Sequence, residues 1–414
     1  MSGPREVGVT VEAQNEKTPG PLADLVVIDL TQWYAGPLAT SWLGDLGANV
    51  IKVERGRVGD PTRMVDAVLP SGLCSYFAGL NRSKRSIQMD ITTPEGSKAF
   101  RALVRQADVL VENYRPGVME RLGLGYESLR AENERLIYCA VSSFGPSGPL
   151  AEKPGMDLIV QAMGGVMGLT GPVGGPPIRV GAPVADYVGS LQTMVGITVA
   201  LHERQRSGLG QKVDVSLLEG QIAMLSNFVT GYHITGKPDG PVGDIHPQLA
   251  PYQVYATKDS KIIIACLTGH FWRGMCKALG LEHLIADARF TRNIQRCANR
   301  EALNQILEPV IARLGSEELV QRLEAEDVPC AAILTMGDLL EHPQVKHNQT
   351  IVPIEHPRAG TYYGVAAPFR LNRTPARIDR GVPDLGAHTE EVLREFGFDD
   401  VDIACLMQSR SRAK

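Results

Sequence analysis

Three consecutive stretches decide the fold: Leu25-Val26-Val27-Ile28-Asp29-Leu30, Thr31-Gln32-Trp33-Tyr34-Ala35-Gly36-Pro37, and Asn49-Val50-Ile51-Lys52-Val53-Glu54. Two short β-branched runs flank a loop and a helical segment over about residues 37–46. Apolar runs of this length suit strands buried on both faces of a parallel sheet. Pro37 fits a first helical turn, and Gly44 and Gly47 close the helix. Moving outward, a strand near 86–90 leads into Thr92-Thr93-Pro94-Glu95, a capping-box spacing with proline just inside the helix start. That helix runs to about residue 106, and strands follow at 108–111 and 136–141. Strands alternating with helices predict a doubly wound, Rossmann-like α/β domain.

Further along, residues 189–206 show helical periodicity, with Leu191, Met194, Val195, Thr198, Val199 and His202 near one face. A strand at 211–215 precedes a longer helix from 216 to about 232. Prolines and glycines then accumulate, so residues 231–251 read as a linker. A hairpin signal at 252–265 and three amphipathic helices near 270–279, 299–313 and 316–325 suggest a smaller α+β domain over 252–330. Beyond Pro329 the chain turns strand-rich through about Leu371, and a last helix starts near Thr389. The expected plan is a polar, disordered leader (1–20), a large α/β domain (21–230), the linker, the small domain, and a C-terminal segment (331–414).

Composition narrows the function. A chain of 414 residues exceeds one ordinary core. Its 46 acidic and 42 basic residues give a net charge of −4, which argues against nucleic acid or an anionic membrane as the main partner. Glycine is the outlier, with 43 residues against a usual ~7%, so function is expected in tight loops. The seven cysteines are scattered without a C-x-x-C pair, which fits reduced thiols in a cytoplasm better than a disulfide frame. No apolar run reaches the ~18 residues expected of a membrane span, and the leader lacks a signal-peptide core. Histidines are too dispersed to suggest a metal site.

Familiar motifs fail on inspection. The loop at 31–37 has one glycine where a dinucleotide fingerprint needs three, although Glu54 ends the next strand, where a ribose-binding acid would sit. In Gly231-Tyr232-His233-Ile234-Thr235-Gly236-Lys237-Pro238, proline replaces the Mg²⁺-binding hydroxyl of a P-loop. Gly145-Pro146-Ser147-Gly148-Pro149 lacks the last glycine of a nucleophile elbow. What remains is a set of charged residues near strand ends. Arg55 and Arg57, Lys84 and Arg85, and Arg115 and Arg121 suit either a phosphate-bearing ligand or ordinary surface charge. Asp186, between a Gly/Pro-rich segment and an apolar helix, could cap a helix starting near Tyr187 or serve as a carboxylate nucleophile. Asp157 is a second candidate acid.

Several of these segments together resemble the family III CoA-transferases. They are Ala35-Gly36-Pro37, Leu43-Gly44-Asp45-Leu46-Gly47-Ala48, Val50-Ile51-Lys52-Val53-Glu54, Asn81 with Lys84-Arg85-Ser86-Ile87, and Val111-Glu112-Asn113-Tyr114-Arg115-Pro116-Gly117. Gly210-Gln211-Lys212-Val213-Asp214-Val215-Ser216 and Leu385-Gly386 with His388-Thr389 complete the set, in order, over about residues 22–396. The resemblance implies a two-domain protomer whose large domain uses both chain ends, and an interlocked homodimer. It implies that Asp186 attacks an acyl-CoA thioester, passing through a mixed anhydride and an aspartyl-CoA thioester before an acceptor carboxylate takes the CoA. No cofactor is implied beyond the CoA thioester itself, and the partners are an acyl-CoA and a small carboxylic acid. By the same resemblance Tyr34 and Ala35 match main-chain contacts to CoA, Arg55 and Arg121 match cations at its phosphates, and Asn113 and Tyr114 neighbour pantetheine and adenine. Lys84 is placed with the CoA-binding cations, and Asp157 falls beside the nucleophile. The glycine-run loop of formyl-CoA transferase has no counterpart here, so formate is not the expected acceptor.

The same superfamily includes α-methylacyl-CoA racemases, which carry a histidine where this chain has Met156. Methionine cannot exchange protons, so transfer is favoured over racemisation. A CoA-binding paralogue without catalysis is a third reading. Arg179, seven residues before Asp186, could hold the distal carboxylate of a dicarboxylic acid, making succinyl-CoA the expected donor. Alternatively it pairs with Asp157 or faces solvent.

Overall fold

The computed structural model describes residues 19–412 apart from 67, 69–70 and 238–239, so the expected leader lies almost wholly outside the described residues. The chain divides into two compact units. The first takes the chain up to Gly155, Ala185–Gly220, and everything from Gln349 onward; the second takes Met156–Val184 and Gln221–Asn348.

In the first unit, six strands form one sheet: β1 (Val26–Asp29), β2 (Asn49–Glu54), β3 (Lys84–Gln88), β4 (Val109–Glu112), β5 (Ile137–Ser142) and β6 (Lys212–Ser216). Their order is β3-β2-β1-β4-β5-β6, and every neighbouring pair is parallel. Ile28 of β1 sits between Ile51 and Leu110, all three fully buried, as the continuous apolar runs require. The chain builds outward from β1 in one direction and then restarts at β4 beside it. Sheets with this order bind ligands outside the carboxyl ends of the strands, at the point of reversal. Thr93 caps helix Pro94–Val104, accepting from the Gly96 N–H at 3.1 Å, with Pro94 just inside. On that face Phe100 and Leu103 pack with Val392 and Leu393 of helix Thr389–Glu395, whose start is tied to β3 by His388 N–H to Ser86 O at 2.9 Å. A two-stranded antiparallel ribbon, Ile351–His356 with Gly360–Val365, and a final helix, Asp400–Arg412, also belong to this unit.

The crossover from β5 to β6 ends in helix Val184–Ser207. Its buried face is made of small and mixed residues, including Ala185, Gly189, Ser190, Thr193, Ile197 and Ala200. The stripe that stands out in the sequence is mostly outward: Leu191, Val195, Val199 and His202 are exposed, and only Met194 is buried. Close packing explains the reversal. A Cβ on Gly189 would lie 2.2 Å from Leu217 Cδ2 and 3.4 Å from Ala35 Cβ, so a small residue lets the helix approach. By length and composition this helix could pass for a membrane span, but its small-residue face packs on the sheet as a core helix does.

The second unit centres on a three-stranded antiparallel sheet, Tyr252–Ala256, Lys261–Ala265 and Cys330–Ala332. Helices Gly269–Ala278, Arg300–Ile311 and Ser316–Ala325 bury Trp272, Leu307 and Leu323 in one core with Ile262 and Ile264. The expected long helix after β6 is broken at Leu225 into Leu217–Met224 and Ser226–Thr235. Short helices Met336–Glu341 and Pro343–His347 occupy part of the stretch read as strand-rich.

Candidate active site

A carboxylate–ammonium cluster builds the floor beneath the loop after β1. Asp29, at the end of β1, accepts from Thr31 N–H (2.8 Å), Thr31 Oγ1 (2.5 Å), Thr40 Oγ1 (2.9 Å) and Lys84 Nζ (2.8 Å). Lys84 gives its other donors to Pro37 O (2.9 Å) and Asn81 Oδ1 (2.8 Å). Lys52, from the middle of β2, donates to Thr31 O (2.7 Å) and pairs with Asp60 (3.0 Å). Asp60 also accepts from the Trp33 N–H at 3.4 Å, at a residue with φ of +68°. A bulky side chain adopts that left-handed backbone only when its surroundings enforce it. Burial opposes ionisation of Asp29, but the Lys84 and Lys52 ammonium groups outweigh it and hold its carboxyl far below the usual range. Burial pushes Lys84 down to about 8. Lys52 goes the other way: burial opposes its charge, but Asp29, Asp60 and Glu54 together outweigh it.

The loop so fixed faces the loop after β4 across the reversal point. Asn113 clasps it with both halves of its amide: Oδ1 accepts from Gln32 N–H (2.9 Å) and Nδ2 donates to Gln32 O (2.7 Å). Tyr34 then precedes helix Ala35–Asp45, and Ala35 is buried. Tyr114, half-buried, is anchored through its N–H to Glu112 Oε2 at 2.8 Å. Burial pushes the Glu112 carboxyl up to about 7, with the Glu120 charge adding to it.

Asp186 lies in the first turn of helix Val184–Ser207. The helix starts earlier than the sequence suggests, so Asp186 is inside the helix and is not its cap. A crossover helix runs opposite to its strands and starts at their carboxyl ends. Arg204, near the other end, confirms the direction by reaching Asp108 Oδ1 (2.9 Å) at the amino end of β4. One turn after Asp186, a Cβ on Gly189 would lie 3.4 Å from Ala35 Cβ, and the Tyr187 and Trp42 rings meet edge-on at 5.9 Å. Asp186, Ala35, Tyr34 and the Gln32–Asn113 clasp therefore gather at one end of the sheet.

The other predicted residues divide. Arg55 is exposed beyond β2, with Nε 3.1 Å from Asp90 Oδ2. Arg121 is exposed at the end of helix Val118–Arg121, after β4. Lys84 is not presented to a ligand here, because its ammonium is buried and its three donors are spent inside the sheet. Glu54 is likewise engaged by Arg63, Ser86 Oγ and the Asp60 N–H, leaving nothing for a ribose. In the second unit, Asp157 begins helix Asp157–Met163 and Arg179 is exposed on the following irregular segment. Among the described residues no cluster of metal-ligating side chains occurs. The sequence reading missed Asp29, Lys52 and Asp60. Lys52 did leave a signal, a lysine inside a run otherwise read as buried on both faces.

Comparison with known proteins settles the family. The CoA-transferase family III model matches residues 22–389. The chain belongs to family III of the CoA-transferases. A succinate–glutarate CoA-transferase from Agrobacterium fabrum is 37% identical over 91% of this chain and 96% of its own length. An acetyl-CoA:oxalate CoA-transferase from Acetobacter aceti is 38% identical over 93% of this chain and 98% of its own. The crystal structure of a CAIB/BAIF family protein from Brucella suis superposes with a TM-score of 0.84 at 36% identity, covering 92% of this chain and all of that one. The family III relatives thus span nearly the whole chain, and the gathering of Asp186 with the loops after β1 and β4 is the geometry in which that chemistry is to be sought.

Proposed function

We propose that this family III enzyme moves CoA from succinyl-CoA to a dicarboxylic acid through covalent intermediates on Asp186. The observation that carries the reading is the placement of Asp186 in the first turn of the crossover helix, one turn before Gly189, where an added Cβ would lie 3.4 Å from Ala35 Cβ. The Asp186 carboxylate attacks the thioester carbonyl, the C–S bond breaks, and CoA leaves as thiolate, giving a mixed anhydride. The thiolate then attacks the aspartyl carbonyl and expels the donor as its carboxylate. An acceptor carboxylate reverses the sequence, forming a second anhydride from which the thiolate takes the acceptor acyl group and frees Asp186. Several acyl transfers between good leaving groups replace one difficult exchange. Backbone N–H groups of the helix start and of the loop at Tyr34 and Ala35 are suited to the developing oxyanions.

Arg55 and Arg121 are assigned to the CoA phosphates and Tyr114 to the neighbourhood of the adenine. Asn113 is assigned to shaping the loop, since both ends of its amide already hold Gln32. Asp157 and Arg179 are assigned to the acceptor side. The relatives named for succinate or succinyl-CoA and glutarate, D-citramalate or mesaconate support a dicarboxylate acceptor. Homodimerisation is part of the proposal: helix Ser226–Thr235 has no buried residue yet carries Phe228, Val229, Tyr232 and Ile234. A helix so apolar needs a covering surface, and a second copy supplies it.

Incubation with succinyl-CoA and a pool of carboxylic acids tests the function. A new acyl-CoA that disappears in Asp186→Asn supports it; transfer that survives that substitution rejects the nucleophile. Deuterium entering the α-carbon of a 2-methylacyl-CoA in D₂O would favour the racemase reading despite Met156.

A further inference from the structure

The segment carrying Arg179 has little structure of its own. Between Thr170 and Val184 it contains four prolines and four glycines, and it forms no strand or helix. Its main-chain bonds are few: Gly175 N–H to Pro172 O, Ile178 N–H to Thr170 O, Val184 N–H to Ala182 O, and, at its start, Gly243 N–H to Gly171 O. Around Arg179 a side chain from a neighbouring helix holds it. Gln161, on helix Asp157–Met163, is fully buried. Its Oε1 accepts from the Val180 N–H at 2.9 Å, and its Nε2 donates to Ala182 O at 3.4 Å. Those two contacts fall on either side of Gly181. The same Nε2 donates to Asp157 Oδ2 at 2.7 Å. One amide thus uses its oxygen and both N–H groups, linking the carboxylate of Asp157 to the backbone one residue beyond Arg179.

We infer that Gln161 is a positioning residue that sets acceptor discrimination, by fixing the Arg179 segment and the Asp157 carboxylate in one register. The inference rests on the reading that Arg179 meets the acceptor. Glutamine suits the task because it offers donor and acceptor together without charge. Removing the amide takes one hydrogen bond from the half-buried Asp157 carboxylate and the glutamine acceptor from the Val180 N–H, which would shift both groups. An error of about 1 Å in a positioning element is enough to cost orders of magnitude in a reaction rate.

The test compares kcat/KM for C4, C5 and C6 dicarboxylates and for a monocarboxylate of matched length, with succinyl-CoA as donor, in wild type, Gln161→Leu and Gln161→Glu. The ratio between the best dicarboxylate and the monocarboxylate does not depend on the folded fraction, so partial misfolding leaves it readable. Gln161→Leu is expected to lower that ratio by about tenfold or more. Gln161→Glu keeps an oxygen for Val180 but sets a second carboxylate against Asp157 Oδ2 and Ala182 O, so it lowers the ratio as well. Ratios at the wild-type value in both variants, with all acceptors slowed together, would overturn the inference and leave Gln161 a structural residue. Arg179→Met separates the two readings. If it leaves discrimination intact while Gln161→Leu flattens it, the arginine assignment falls and Gln161 acts through the Asp157 carboxylate alone.

Discussion

Replacing Glu112 by glutamine should stabilise the protein at pH 8 and do almost nothing at pH 4.5. Glu112 ends β4, is nearly inaccessible, and faces a cavity of about 190 Å³ that also meets Glu120, Lys212 and Asp214. Burial raises its carboxyl from 4.5 to about 7. Between those values the folded state holds a proton that the unfolded chain has released. Stability therefore falls as pH rises through the window, and above it the folded protein carries an ionised carboxylate in a poor environment. At ~1.4 kcal/mol per pH unit, the interval from 4.5 to about 7 amounts to about 3 kcal/mol. Glutamine has the same shape, keeps an oxygen for the Tyr114 N–H, and never ionises. The stronger bond of the ionised carboxylate to that N–H is already contained in the net shift to about 7, so the full gain of about 3 kcal/mol is expected at pH 8. The assay is urea unfolding of both proteins at pH 5 and pH 8, read as the difference between their midpoints, in which every other titrating group cancels. The difference should be much larger at pH 8. An equal difference at the two pH values, or a glutamine variant less stable at pH 8, would refute the reasoning.

Other outcomes follow from the same geometry. Lys84→Met removes the ammonium shared by Asp29, Pro37 O and Asn81 Oδ1, and breaking a buried ion pair from one side costs ~3–5 kcal/mol. Thermal unfolding should show a large fall in Tm, whereas a lysine that merely met ligand phosphate would change KM for CoA with Tm unchanged. Gly210→Ala places a Cβ 2.1 Å from Leu136 O and 2.5 Å from Arg135 C. Both are backbone atoms, so β6 must separate from β5, and hydrogen exchange along Lys212–Ser216 should accelerate sharply. Arg179→Met should raise KM for a dicarboxylate acceptor at least tenfold with KM for the acyl-CoA little changed; equal effects on both would remove Arg179 from acceptor binding.

Much of the fold was legible because it rests on local chemistry. β1 and β2 announce themselves as β-branched runs, and Thr93-Pro94 marks a helix start. The failures lie where a side chain's meaning depends on distant residues. Helix Val184–Ser207 was recognised, but its buried face was obscured because small residues pack on the sheet while larger apolar ones face outward. Lys84 looks like one more cation before a strand, and only the fold reveals Asp29 beside it. Gln161 carries no signal at all in the sequence, since an isolated glutamine in a helix is usually solvated. Asp186 was found through its motif, while its place inside the helix rather than at its cap depended on where Pro183 lets the helix begin.

The most direct test is mass spectrometry of the protein after brief exposure to succinyl-CoA without an acceptor, followed by proteolysis. A CoA thioester on the peptide containing Asp186, released on adding a dicarboxylic acid and absent from Asp186→Asn, is the predicted result. An adduct on another residue, or steady transfer by Asp186→Asn, would contradict the account.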